Sequence, residues 1–198
     1  SNWTFETGTG ENGWGNNELQ YYTNRPENAA LDGLGNLVIT AREESFEGSS
    51  YTSARLITKD KHEFTYGRFE ARLITPFSQG LWPAFWMLGA DIDTNPWPGA
   101  GEIDVMELGG ESITKDFVLE DGRFDTEYHV FAVEWGPDYI DFFVDDILYQ
   151  TLTPSDLPIE QEDGSFCDPE DDNTCDPDPA NENWVFDKDF FLLLNVAV

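Results

Sequence analysis

Gly101-Glu102-Ile103-Asp104-Val105-Met106-Glu107-Leu108 places three carboxylates among apolar residues that a chain would otherwise bury. Glu102 and Asp104 alternate with Ile103 and Val105, the period of a strand, so the two acids project to one side and the two β-branched residues to the other. Glu107 has the wrong parity. It rejoins the acidic face only if one extra residue is accommodated near Val105 or Met106, as a β-bulge does, and bulges often re-aim a side chain beside an active site. Two readings stand at this point: a carboxylate cluster that carries chemistry, and an edge strand with a solvated acidic face.

Immediately upstream, Gly80 to Gly89 carries Trp82 and Trp86 at the same strand parity, so both indoles meet one surface. Trp buries well, but Gly and Pro bound the segment, which favours a cleft over core filling. Asp91 to Ala100 reads as a loop that contains Trp97. Glu63 to Leu73 alternates, with Phe64, Tyr66, Arg68, Glu70 and Arg72 on one face, a mixture suited to a polar cleft. Asn36 to Arg42 and Tyr51 to Thr58 read as strands on either side of a polar turn at Glu43 to Ser50. Ser1 to Pro26 reads as loops and short extended pieces. Within it Gly13 to Tyr22 sets Asn16 and Asn17 beside aromatics, either to grip a polyhydroxylated ligand or to hold the loop through their own hydrogen bonds.

Downstream, Glu127 to Trp135, Asp138 to Val144 and Ile147 to Thr151 read as strands, with turns at Gly136-Pro137 and Asp145-Asp146. Phe190 to Val198 is an apolar run interrupted by Asn195, a strand covered on both sides that carries one polar residue to a site. Ile159 to Asn183 is an acidic, turn-rich insert loop. Cys167 and Cys175 lie within it, and a local disulfide between them suits an oxidising exterior; two free thiols are the alternative. The Asp-rich stretch from Asp168 to Asp178 lacks the glycine of an EF-hand loop, so it reads as solvated.

Strands at short intervals without a helical period predict an all-β sandwich of two antiparallel sheets, in one domain over residues 1–198. One sheet presents the Arg, Trp and carboxylate faces, an open groove suited to a polymer. The 198 residues are 39% hydrophobic and 15% aromatic, enough for a substantial core. The net charge of −30 makes nucleic acid and anionic membranes poor partners and favours a neutral ligand. Such an acid excess also suits high salt, where screening relieves self-repulsion. No apolar run reaches the length of a membrane span, and no charged-then-apolar leader precedes Ser1.

Residues 14–23, 66–73, 81–89, 101–107, 131–135 and 184–198 resemble glycoside hydrolase family 16, and within it the bacterial laminarinases, which are endo-β-1,3-glucanases. The Glu-x-Asp-x-x-Glu pattern matches the bulged form of that family's active-site strand. The resemblance implies a β-jelly roll with a concave substrate groove, a secreted and monomeric protein, a β-glucan partner and no cofactor for catalysis. It implies Glu102 as nucleophile, Glu107 as general acid/base and Asp104 as the carboxylate between them. Trp82, Trp86 and Trp97 resemble its sugar-stacking aromatics; Arg68, Asn16, Asn17 and Asn195 resemble its polar contacts to sugar.

The family usually follows its active-site strand with a strand that lends a histidine to the cleft, and Leu108 to Glu111 lacks it; His129 lies in another strand. A first strand, a closing strand and the termini that usually supply a structural calcium site are also expected but not found in the sequence as it stands, so the calcium ligands are unassigned. The implied activity is retaining hydrolysis of internal β-1,3 bonds. Alternatives are a mixed-linkage β-1,3-1,4-glucanase or galactan hydrolase of the same family, a transglycosylase, and a carbohydrate-binding jelly roll without turnover.

Overall fold

The computed structural model describes residues 2–108, 117–157, 159–160, 166–167 and 184–198. Its strands are β1 (Thr4–Glu6), β2 (Gln20–Tyr22), β3 (Ala29–Leu31), β4 (Leu37–Ile39), β5 (Arg42–Phe46), β6 (Ser49–Ser53), β7 (Arg55–Ile57) and β8 (Gly67–Leu73). They continue with β9 (Trp82–Gly89), β10 (Glu102–Glu107), β11 (His129–Gly136), β12 (Tyr139–Val144), β13 (Ile147–Leu152), β14 (Ile159–Glu160), β15 (Phe166–Cys167) and β16 (Phe190–Ala197). Two antiparallel sheets dominate, ordered β1-β7-β16-β9-β10 and β13-β12-β11-β8. Three small sheets, β2-β6-β5, β3-β4 and β14-β15, complete the described chain. Among the described residues, the one parallel pairing joins β2 to β6.

The two large sheets meet face to face through the side chains that strand alternation turns inward. Phe85, Met87, Ile103, Val105 and Met106 from the first sheet pack with Phe131, Val133, Trp135, Ile140, Phe142 and Val144 from the second. Each fully buried side chain of this size stabilises the fold by about 1.5–3 kcal/mol. Trp135 lies at the centre, its indole N–H satisfied by the Phe186 carbonyl at 2.9 Å. β16 runs through the middle of the five-stranded sheet between β7 and β9, and Phe190, Phe191, Leu193, Val196 and Ala197 are buried. That is the doubly covered strand expected from its apolar run, interrupted by Asn195.

Two boundaries differ from the sequence reading. Glu43 to Ser50 is not a turn: β5 and β6 pair through it, and the reversal is confined to Glu47 and Gly48 at φ 48° and 89°. Positive φ at both central residues is what a tight two-residue hairpin needs, and Glu47 hides that signal because non-glycine residues seldom supply it. The strand expected from Glu63 begins only at Gly67, because Tyr66 (φ 67°) and Gly67 (φ 126°) leave extended backbone. Arg68, Glu70 and Arg72 face solvent, so this strand carries no cleft. The segment after Leu108 and most of the acidic insert, including Cys175 and thus the Cys167–Cys175 pairing, lie outside the described residues.

Candidate active site

The register of the five-stranded sheet assembles the site. On the face turned away from the main core, one row of paired residues runs Glu6, Arg55, Asn195, Ala84, Glu107. The next runs Thr4, Ile57, Leu193, Trp86, Asp104, and a third Phe191, Leu88, Glu102. Ile57, Leu88, Phe191 and Leu193 form a second apolar cluster beneath Trp86 and Ile92, which gives the carboxylates a rigid floor. The pairing of β10 with β9 slips by one residue between Asp104 and Met106. This is the bulge that the parity of Glu107 requires, with Val105 as the extra residue. Gly101 begins the strand at φ 75°, and a β-carbon there would stand 2.8 Å from Val185 and 2.9 Å from Phe190, so only glycine fits this approach.

A cleft of about 390 Å³ opens over this face. Its lining includes Glu102, Asp104, Glu107, Trp82, Trp86, Trp97, Arg55 and Asn195. Asn16 reaches the same cleft, whereas Asn17 lies in an adjoining depression beyond Trp82 with Asn16 and Leu81. Trp97 is 66% exposed at the rim. Its loop is pinned by Asn95 and Lys188, which both donate to the Asp91 carboxylate and to the Gly99 carbonyl at 2.8–3.0 Å.

Arg68 requires correction. It lies on β8 in the other sheet, where its guanidinium donates to Glu70 and Glu134 at 2.9 Å and to Asp146 at 3.0 Å. Its alternating polar partners look like a cleft in sequence because a solvated sheet face and a polar groove have the same pattern. Asn195 reaches the cleft wall, but both ends of its amide are engaged: the carbonyl accepts from Trp86 at 2.7 Å and the amide donates to Tyr22 at 3.2 Å.

Burial raises the pKa of Glu102, and the charge of Glu107 adds to the effect while Arg55 opposes it. Asp104 is pushed up to about 8, first by burial, then by Glu102 and Glu107. Its side chain is exposed on the cleft face of β10. Glu107 is raised by burial, with a hydrogen bond from Trp82 working against it. Burial and the two neighbouring carboxylates thus favour the neutral form of Asp104 more than in an ordinary aspartate.

Arg55 escaped the sequence reading. It is 8% exposed, bonded to Glu6 at 2.5 Å, and stacked between Trp14 and Trp86 at 4.7 and 4.9 Å from the ring centroids. A lone arginine in the apolar run Ala54-Arg55-Leu56-Ile57 was the available signal. Among the described residues no group of three or more His, Cys, Asp or Glu is placed to hold a metal ion.

The site and the fold have counterparts. The model of glycosyl hydrolases family 16 matches residues 14–119 and 114–166. A β-glucanase of Rhodothermus marinus is 41% identical over 218 positions, which take in 99% of this chain and 69% of the relative. That span exceeds the 198 residues here, so the relative carries extra residues inside the matched stretch. A glucan endo-1,3-β-glucosidase of Cryptopygus antarcticus is 35% identical, with 99% of this chain and 74% of the relative covered. The laminarinase catalytic domain of Thermotoga maritima superposes with a TM-score of 0.79 at 37% identity, over 99% of this chain and 80% of that one. The shared architecture is the β-jelly roll. The chain belongs to glycosyl hydrolase family 16 and is a glycoside hydrolase.

Proposed function

We propose that the chain is a single catalytic domain that hydrolyses internal β-1,3-glucosidic bonds of laminarin-type glucans with retention of configuration. The observation that carries this reading is the bulged strand β10, which turns Glu102, Asp104 and Glu107 onto one face of an open cleft lined by Trp14, Trp82, Trp86 and Trp97. Retaining glycosidases use two carboxyl groups about 5–5.5 Å apart, one attacking the anomeric carbon and one protonating the leaving oxygen. Glu102 is the nucleophile; burial and Glu107 raise its pKa, and the Arg55 charge works against that rise. Glu107, raised by its surroundings, gives its proton to the glycosidic oxygen as that bond breaks. The resulting glycosyl ester on Glu102 is released by water that Glu107 deprotonates. Asp104, its pKa pushed up to about 8, is biased towards its neutral form beside Glu102 and tunes its basicity.

Trp82, Trp86 and Trp97 offer flat apolar rings to sugar faces, and Asn16 and Asn17 offer amides at the end of the cleft. The protein acts outside the cell as a monomer, with Cys167 and Cys175 joined as a disulfide and with a surface charge of −30 adapted to high salt. Hydrolysis of laminarin, lichenan and agarose by the protein and by Glu102→Ser tests the reading. Laminarin cleavage that is lost in the variant is expected. Preference for lichenan or agarose would move the substrate to mixed-linkage glucan or galactan, and glucan binding with equal reducing-end release by both proteins would make this a binding module.

A further inference from the structure

Along the cleft wall, four side chains form hydrogen bonds that all run one way. The Trp86 indole N–H donates to the Asn195 carbonyl at 2.7 Å, the Asn195 amide to the Tyr22 hydroxyl at 3.2 Å, and the Tyr22 hydroxyl to Glu18 at 2.9 Å. Asn195 is 7% exposed and Tyr22 not at all. These residues come from β9, β16, β2 and the loop before β2, so the chain ties the sheet that carries the carboxylates to the segment that borders it. Trp86 stands opposite Asp104 in the register of β9 and β10. We propose that Tyr22 and Asn195 are positioning residues for the reaction: their hydrogen bonds fix the plane of the Trp86 indole, which then presents a ring face to one sugar of the bound glucan.

The direction of the chain is fixed chemically. An indole N–H only donates, so Asn195 must turn its carbonyl to Trp86 and its amide to Tyr22. Tyr22 then has its proton free for Glu18, a carboxylate that accepts. Burial, followed by the charge of Glu18, holds the Tyr22 pKa well above the ordinary phenol value, so the hydroxyl keeps that proton. Donors aligned in series polarise one another, which stiffens the set beyond what separate pairs achieve. Glu18 is itself anchored by Gln20, which donates to it at 2.5 Å and accepts from the Val198 N–H at 2.7 Å. The other side of the Trp86 ring carries the Arg55 guanidinium, so rotation of the indole would break two contacts at once. With its N–H committed inward, Trp86 meets substrate through its ring face.

This inference rests on the glucanase reading for its kinetic consequence but not for its structural one. With tryptophan indoles labelled with ¹⁵N, the Trp86 N–H resonance is identified by its loss in Trp86→Phe. In Tyr22→Phe that resonance is expected to shift and its exchange with solvent to speed up. Glu18→Gln, which alters only the partly exposed end of the chain, is expected to move it in the same direction by less. In kinetics on laminarin, Tyr22→Phe is expected to raise KM about threefold to tenfold with kcat changed by less than about twofold, the pattern of lost ground-state binding. In the Trp86→Phe background the same substitution should change KM by less than about 1.5-fold, because neighbours acting through one contact are not additive. An unmoved indole resonance in both variants, or an equal change in KM in both backgrounds, overturns the proposal. Absence of laminarin cleavage by the unaltered protein would count against the substrate reading alone, and the resonance would still decide the hydrogen-bond chain.

Discussion

Asp104 and Glu107 share one face of β10 although they are three positions apart. Asp104 pairs with Trp86 and Glu107 with Ala84, two residues apart on the partner strand, so the odd spacing is absorbed entirely by the bulge. Deleting Val105 should therefore leave Glu107 on the cleft face: the spacing becomes two, and the regular pleat does what the bulge did. Laminarin cleavage is expected to survive this deletion at a measurable level, with some loss of stability from the vacated core position. Removing Val105 and Met106 together should leave Glu107 next to Asp104 on the opposite face of the strand and abolish release of reducing ends. An active double-deletion variant would contradict the assignment of Glu107.

The carboxyl of Asp104 predicts how stability depends on pH. Its pKa in the folded protein is pushed up to about 8, while in an unfolded chain it is about 3.9. The folded state thus binds this proton more tightly. Its contribution to stability is full below the unfolded value and is lost as pH rises towards about 8. Asp104→Asn, which imitates the protonated form, should flatten this part of the profile. Urea midpoints of both proteins from pH 4 to pH 9 provide the check, and parallel profiles would contradict it.

Arg68 should be dispensable for catalysis. It lies on the solvated face of the second sheet with Glu70, Glu134 and Asp146, all of them exposed or partly so. Arg68→Ala is expected to leave KM on laminarin unchanged and to cost about 1 kcal/mol of stability or less, as surface ion pairs do. A rise in KM would return this residue to the substrate groove.

The sequence disclosed the active strand more fully than the scaffold around it. Parity alone required the bulge, and the shared parity of Trp82 and Trp86 placed both on the cleft, because strand alternation is a local rule that needs no knowledge of partners. Which sheet a strand joins is not local. β8 alternates as plainly as β10, yet its polar face meets solvent, and nothing within Gly67 to Leu73 tells a groove from an outer surface. Arg55 was hidden for a related reason. Its partners Glu6, Trp14 and Trp86 come from three other segments, and only the register of β1, β7, β16 and β9 brings them together. The hairpin at Glu47 and Gly48 was missed because a glutamate occupies the position where glycine or asparagine would have signalled the turn.

The surface charge predicts a response to salt. With 40 acidic against 10 basic residues, self-repulsion opposes compactness in dilute buffer, and the screening length falls from about 10 Å at 0.1 M to about 3 Å at 1 M salt. Thermal midpoints are expected to rise between these concentrations of sodium chloride. A flat or falling midpoint would remove the case for adaptation to high salt.

The most direct test of the catalytic assignment is the configuration of the first product. Proton NMR during the first minutes of laminarin hydrolysis, before mutarotation, reports the anomer released. Double displacement through a Glu102 ester predicts the β-anomer first, equilibrating later to the mixture, and no such signal from Glu102→Ser. Release of the α-anomer first would mean a single displacement by water and would contradict the roles given to Glu102 and Glu107.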